Sequence, residues 1–352
     1  MPSLCHSLNG IPGEMTSDNS QPAGRCGIDR AGRTPEHVLR YKRERPMLSK
    51  IVIVGAGAMG CFLAVRLAAS GFEVTVVDVD QARLEVIARD GITLQADSGT
   101  VTARVRACLA AEAQGPVDLV ILMTKGMFSA AAIRSVAHLA QHGPLVLTLQ
   151  NGLGNVEAIA EVFHADHILW GVTDFPADLE GPAQVASHGA GHIWLGGAND
   201  RAHAHADAVA EALNRAALNA AVDPHVRIAV WEKVAFNAAL NALSTITGLP
   251  VGGLDCPEGR RIATAVAEET IATASALGVP LDPARVLAKI DFALANHRTH
   301  KPSMLQDRLA GRRTEIESIN GAIVRLAEQA EVPAPTTRVL ADLVRMGDPR
   351  GA

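Results

Sequence analysis

The chain has 352 residues, of which 48% are hydrophobic, 20% charged and 3% aromatic. That length favours two domains and a substantial core, and the apolar content excludes a chain that is disordered throughout. A formal charge of −5 offers no global field for nucleic acid or an anionic membrane surface, and no apolar run approaches the roughly 20 residues of a membrane span. The five cysteines are odd in number and never paired as CxxC, which argues against a disulfide framework or zinc site and fits a cytoplasmic protein with no metal.

Residues 1–46 mix Ser, Asn, Gly, Pro and charges without an apolar period and end in Arg40-Tyr41-Lys42-Arg43-Glu44-Arg45-Pro46. They lack the apolar h-region of a signal peptide. They read as a disordered extension, or as the product of a start placed upstream of Met47. Order is expected from Lys50. Ile51-Val52-Ile53-Val54 has the β-branched continuity of a parallel strand covered on both faces. A helix from about Ala58 to Ser70 follows, stopped by Gly71 where a left-handed residue belongs. Then come strand Val74–Val77, helix Gln81–Arg89, short strands near Ile92–Leu94 and Val101–Val105, and strand Leu119–Met123. A helix over Phe128–Ala140, strand Leu145–Leu149 and helix Val156–Phe163 continue the alternation. Such βαβ spacing predicts a doubly wound sheet.

A hairpin is expected across Ala183–Leu195 with Gly189 and Gly191 at its turn, then a helix over Ala202–Ala217 and a last short strand near His225–Ile228. Beyond Val230 helical periods dominate, at about 230–246, 258–277, 283–296, 303–310, 314–330 and 335–345. The predicted class is α/β: an N-terminal Rossmann-type doubly wound sheet at 47–226, plus an all-helical C-terminal domain at 227–350.

Gly55-Ala56-Gly57-Ala58-Met59-Gly60 joins the first strand to the first helix. The glycines permit a tight turn, close approach of backbone to a pyrophosphate, and contact of helix with strand, while the helix N-terminus offers unpaired N–H groups to the anion. Asp78 ends the second strand where a carboxylate accepts hydrogen bonds from an adenosine ribose and repels a 2′-phosphate. From these residues NADH is favoured over NADPH. Asp80 suits the cap of the following helix, and Arg83 is the only nearby cation in sequence. Thr124-Lys125-Gly126 and Gln150-Asn151-Gly152 follow two further strands, at the carboxyl ends where open α/β sheets bind ligands.

The most specific pattern is Trp231-Glu232-Lys233-Val234-Ala235-Phe236-Asn237-Ala238-Ala239-Leu240-Asn241. Lys233, Asn237 and Asn241 fall at i, i+4 and i+8 on one face of an otherwise apolar helix. A lysine buried there costs several kcal/mol unless paired or partly neutralised, and buried amides need partners, so the stripe points to a site. A second cluster contains Ser303-Met304-Leu305-Gln306-Asp307 and Arg312-Arg313-Thr314-Glu315-Ile316-Glu317; Ser303 and Thr314 also qualify as helix caps.

Together the glycine loop, Thr124-Lys125, Gln150-Asn151-Gly152, Trp231-Glu232-Lys233 with Asn237 and Asn241, the Ser303–Asp307 block, Thr314-Glu315-Ile316 and Ile319-Asn320-Gly321 resemble the ketopantoate reductase family, the 2-dehydropantoate 2-reductases. The resemblance spans roughly residues 50–346. It implies a cleft between the two halves and NADPH-dependent reduction of 2-dehydropantoate to (R)-pantoate, on the route to pantothenate and coenzyme A. Lys233 would be the general acid. Asn237, Asn241 and Ser303 would bind substrate carboxylate and hydroxyl groups, and Glu315 would lie near the hydroxyl and the lysine. Lys125 and Asn151 would touch cofactor and substrate edge. The family's basic residue after the second strand is replaced by Asp78-Val79-Asp80, so the family default is NADP while this chain's own residues favour NAD. That departure keeps an alternative open, an NADH-linked D-2-hydroxyacid dehydrogenase acting on another branched or aromatic 2-oxo acid. A dinucleotide sensor without catalysis would have no use for the polar stripe. The expected partner is therefore a small 2-oxo acid, and a homodimer is left open.

Overall fold

A parallel sheet with a reversal in its strand order organises the computed structural model, which describes residues 48–349. Residues 1–46, expected above to be a disordered extension, lie outside the described residues. Strand β1 (Lys50–Val54) runs parallel to β2 (Glu73–Val77) on one side, while β3 (Ile92–Ala96) and β4 (Gly99–Ala103) leave for a second sheet. β5 (Arg106–Cys108) then pairs with β2 as the outer strand. The chain returns past β1 to β6 (Leu119–Leu122) and continues outward through β7 (Leu145–Thr148) and β8 (Ile168–Thr173).

The order β5-β2-β1-β6-β7-β8 thus reverses between β1 and β6. There the loops after neighbouring strands diverge and open the crevice in which such sheets bind ligands. β11 (Ile193–Gly197), antiparallel to β8, and β12 (Ala220–Val222) extend the sheet. Val52, Ile53 and Val54 are buried, with helices on both faces, which explains the uninterrupted β-branched run. The first helix, α1 (Ala58–Ala69), is covered by the second sheet, whose order is β4-β3-β10-β9 with β9 at Asp178–Gly181 and β10 at Gln184–Ser187.

Several expectations are corrected. The hairpin is β9–β10, turning at 182–183; Gly189 and Gly191 instead lie where the chain crosses from the second sheet to β11 in the first. No strand forms near His225–Ile228: the last strand is β12, and Val226 already begins a helix. The expected Phe128–Ala140 helix is an α-helix over Ser129–Ser135 followed by a 3₁₀ turn over Ala137–His142. Ala202–Ala217 divides into Asp200–His203 and Ala206–Arg215. The expected 314–330 helix starts only at Asn320, because Thr314 donates its hydroxyl and N–H to the Asp348 carboxylate rather than capping a helix. Ser303 is likewise the first helical residue of its segment, without a capping bond.

Counting the helices in chain order, α2 is Gln81–Asp90, α3 Ser129–Ser135, α4 Asn155–Ala160, α5 Asp200–His203 and α6 Ala206–Arg215. The 22-residue α7 (Val226–Thr247) is the spine of the C-terminal half. It packs on α8 (Pro257–Ala276), α9 (Pro283–Asn296), α10 (Ser303–Leu309) and α12 (Pro335–Gly347), and also on β8 and β11; α11 (Asn320–Gln329) lies between α10 and α12 in the chain. A helix apolar on nearly every face has to be enclosed in this way. Its core includes Leu153 and Val172 from the sheet half, so helix and sheet share one apolar interior. The described residues belong to one compact unit. None of their helices is long and apolar enough to cross a membrane.

The rotation of α7 is fixed by charge as well as by packing. Glu232 is 3% exposed and is held from α9 by Arg285 and by Lys289 at 2.8 Å. Glu232→Ala is expected to destabilise the protein by about 1–3 kcal/mol, less than a fully buried pair because both cations are half exposed. A urea titration reads this as a lower midpoint at unchanged slope.

Candidate active site

The loop after β1 has the conformation that its glycines allow. Gly55 takes φ +110°, and a Cβ there would stand 2.8 Å from the Met123 carbonyl carbon at the end of β6. A Cβ on Gly60 would lie 3.0 Å from the Gly55 carbonyl carbon, so α1 can approach the strand this closely only with glycine. Gly57 precedes α1 with no side-chain cap, and a Cβ there would meet open space. The first N–H groups of α1, at Ala58 and Met59, therefore begin behind an unobstructed position, which fits a pyrophosphate.

Asp78 ties this loop to the end of β2. One carboxylate oxygen accepts the Ala56 N–H at 2.5 Å, and the other accepts the N–H groups of Val79 at 2.7 Å and Asp80 at 3.0 Å. Asp80 caps α2 through the Arg83 N–H at 3.1 Å, as expected. The Arg83 guanidinium is turned inward, donating to the Ala56 carbonyl at 3.0 Å and approaching Asp80 at 3.5 Å. The nearby cation is therefore already engaged by the loop.

A second group of side chains gathers at the ends of β6, β7 and β8. Lys233 on α7 donates from Nζ to the Thr173 carbonyl at the end of β8, at 2.8 Å. Burial lowers its pKa from the ordinary value to about 8, although the Glu315 and Asp174 carboxylates favour the ammonium form. Glu315 shifts the opposite way. Burial pushes the carboxyl up, aided by the Asp307 charge and opposed by the Gly126 N–H at 3.1 Å, the Lys125 charge and a hydrogen bond with Asn151. Lys125 in turn pairs with Asp307 of α10 at 2.5 Å.

The structure thus joins Lys233, Glu315, Asn151 and Lys125, contributed by four separate chain segments. Asn241 is buried and Asn237 half-buried on the lysine's helix. Ser303 is exposed on the first turn of α10 and makes no hydrogen bond to any of the four. Three features escaped the sequence reading. Thr173 ends, and Asp174 follows, a strand, β8, that no sequence pattern above marks. Asp307 lies in the Ser303–Asp307 block, but its pairing with Lys125 has no signal in the sequence. Gln150 does not face outward as a ligand group: its amide donates to the Thr124 carbonyl at 2.6 Å and the Ser129 hydroxyl at 2.9 Å, fastening the two strand-end loops together. The Ser129 hydroxyl continues this network to Asn155 at 2.8 Å.

A glycine turn at the reversal of a doubly wound sheet, with a lysine of lowered basicity beside the ends of the neighbouring strands, is an arrangement suited to a nicotinamide-dependent oxidoreductase acting on CH–OH groups. The family models agree. Residues 51–200 match the model described as ketopantoate reductase PanE/ApbA, and residues 225–348 match its C-terminal counterpart. The chain belongs to the ketopantoate reductase family.

Among its relatives, the 2-dehydropantoate 2-reductase of Halobacterium salinarum is 33% identical over 307 residues, covering 86% of this chain and 100% of that one. The Streptococcus pyogenes enzyme of the same name is 29% identical, over 84% and 96% of the two chains. Among solved structures, a D-mandelate dehydrogenase with NADH and anilino(oxo)acetate superposes with a TM-score of 0.81 at 30% identity, covering 85% of this chain and 98% of that one. A PanE/ApbA family ketopantoate reductase from Ralstonia eutropha gives 0.78 at 32% identity, over 85% and 98%.

The lowered basicity of Lys233 has a direct check. With isotope-labelled lysine, NMR should find one side chain that titrates with a midpoint near pH 8. Lys233→Met removes that transition, whereas a midpoint near 10.4, the value of an exposed lysine, would contradict the described surroundings.

Proposed function

We propose that this chain is a cytoplasmic 2-dehydropantoate 2-reductase, reducing 2-dehydropantoate to (R)-pantoate on the route to pantothenate and coenzyme A. In this reading residues 47–226 form the dinucleotide-binding domain and residues 227–350 the helical catalytic domain. The observation that carries the proposal is the Lys233 ammonium, anchored on the Thr173 carbonyl and neighboured by Glu315. The names of the relatives from Halobacterium and Streptococcus support the substrate.

A nicotinamide dinucleotide held by the N-terminal half of the chain would supply the hydride that the ketone carbon needs. Gly55, Ala56, Gly57, Ala58, Met59 and Gly60 form the pyrophosphate turn, and Asp78 faces the adenosine ribose. Lys125 and Asn151 border the cofactor and the reacting edge of the substrate. Lys233 carries the proton on Nζ and delivers it to the ketone oxygen as negative charge develops there; its depressed pKa matches that task to neutral pH. Glu315 keeps the lysine protonated before transfer, the direction in which its charge acts. Asn237, Asn241 and Ser303 orient the substrate carboxylate and hydroxyl groups, and fixed dipoles of this kind supply much of the rate.

The cofactor reading is NAD in preference to NADP. Asp78 repels a 2′-phosphate, and the Arg83 guanidinium is held by Ala56 and Asp80. The same feature favours a second reading, an NADH-linked D-2-hydroxyacid dehydrogenase acting on another branched or aromatic 2-oxo acid. The NADH-bound D-mandelate dehydrogenase neighbour lends it weight. Steady-state kinetics with both cofactors against 2-dehydropantoate and a panel of branched and aromatic 2-oxo acids separates the two. Preference for 2-dehydropantoate is expected; a higher kcat/KM on an aromatic 2-oxo acid would establish the alternative.

Because the acid must be protonated to act, the rate of ketone reduction should be level below the Lys233 pKa and fall as pH rises through about 8. Alcohol oxidation should rise across the same range. Lys233→Ala is expected to lower kcat by about 10²–10⁴-fold, the usual yield of a general acid. Dinucleotide affinity, followed by nicotinamide fluorescence, should change little. Parallel loss of turnover and affinity would reduce Lys233 to a structural role.

A further inference from the structure

Gly126 and Gly152 close the two polar clusters that follow β6 and β7, yet neither supplies a side chain to the chemistry above. Both face one residue of the other half, Ser318, which is 7% exposed. A Cβ on Gly126 would stand 2.7 Å from the Ser318 Cβ, and a Cβ on Gly152 would stand 2.8 Å from the same atom. The Leu153 N–H, beside Gly152, donates to the Ser318 carbonyl at 2.8 Å. Two strand-end loops therefore leave a space that one serine fills.

That serine is coupled to Glu315. Its N–H donates to the Glu315 carbonyl at 3.0 Å, while the Glu315 carboxylate accepts the Gly126 N–H at 3.1 Å. The far end of the same turn is fixed to the lysine's helix. Asn320, fully buried, donates its amide to the Ala238 carbonyl of α7 at 3.0 Å. Residues 315–320 are thus fastened to the sheet half through Ser318 and the Glu315 carboxylate, and to α7 through Asn320.

We propose that Gly126, Gly152 and Ser318 form a socket whose function is to position Glu315 against Lys233. The three are positioning residues, and the proposal rests on the reading of Lys233 as the proton donor. A methyl group on Gly126 meets a Cβ, which cannot rotate away, so Ser318 and the turn behind it must move. Gly126 is outside the left-handed region, so alanine brings crowding there without backbone strain.

The test is a volume-exchange cycle, Gly126→Ala, Ser318→Gly and the double variant, assayed in the full chain. Gly126→Ala should lower kcat by about 10–100-fold, the scale of a displacement near 1 Å, with dinucleotide affinity within about 2-fold. Its pH–rate midpoint should drop below the parent's, because the lysine loses a neighbour that favours its charged form. Ser318→Gly should cost no more than about 3-fold, and the double variant should return to the level of Ser318→Gly. Ser318→Val, which crowds the socket from the opposite side, should repeat the Gly126→Ala effects should that variant fail to fold. Parental kcat and pH midpoint in the crowded variants, or a double variant as impaired as Gly126→Ala, would overturn the socket. Lys233→Ala run alongside separates the two levels: its retained turnover would remove the acid, whereas an inactive Lys233→Ala beside an unaffected Gly126→Ala would remove the socket alone.

Discussion

A single ammonium group on an apolar helix sets the terms for the structure around it. Lys233 sits on α7, where fourteen of twenty-two residues are buried, and its charge has been partly withdrawn from water. Such a group persists only when neighbours compensate its lost hydration. The Thr173 carbonyl does so directly, and Glu315 and Asp174 do so through their fields. These three come from β8, from the loop after it and from the turn before α11. The sheet and the helical half must therefore meet in one register for the lysine to be tolerated at all.

The same requirement accounts for the density of polar contacts at the seam. Lys125 reaches Asp307, Gly126 reaches Glu315, and Leu153 reaches Ser318, each bond running from a strand-end loop to the C-terminal half. Individually such bonds contribute about 0.5–1.5 kcal/mol, or somewhat more where a charge takes part. Their joint effect is geometric, since each restricts the same turn. Glu232, one residue from the lysine but bound to α9, holds a different side of the spine. The helix is fixed by charge on one face and carries Lys233 on another.

Much of this was legible in the sequence because it is local. The β-branched run of β1, the glycine spacing and the i, i+4, i+8 stripe each follow from a periodicity that a short window contains. Gly71 ends α1 as anticipated, and Asp80 caps α2. The errors arose where tertiary pairing decides. Residues 183–195 alternate like a hairpin, but their two strands join different sheets, because β10 finds β3 as a parallel partner and β11 finds β8. The segment 225–228 has strand-like residues and becomes helical as the first turn of an enclosed helix, where packing outweighs propensity. Thr314 looks like a cap, yet Asp348, 34 residues away, takes its hydroxyl. The Lys125–Asp307 pair and the close approach of Gly126 and Gly152 to Ser318 are invisible to any local pattern, since the partners lie more than 150 positions apart in the chain.

A crystal structure of the protein with NADH and an unreactive 2-oxo acid analogue examines the central claim most directly. The account predicts Lys233 Nζ within about 3 Å of the analogue's keto oxygen, on the side away from nicotinamide C4. A keto oxygen bound beyond hydrogen-bond reach of that nitrogen, with another group of the protein taking its place, would contradict it.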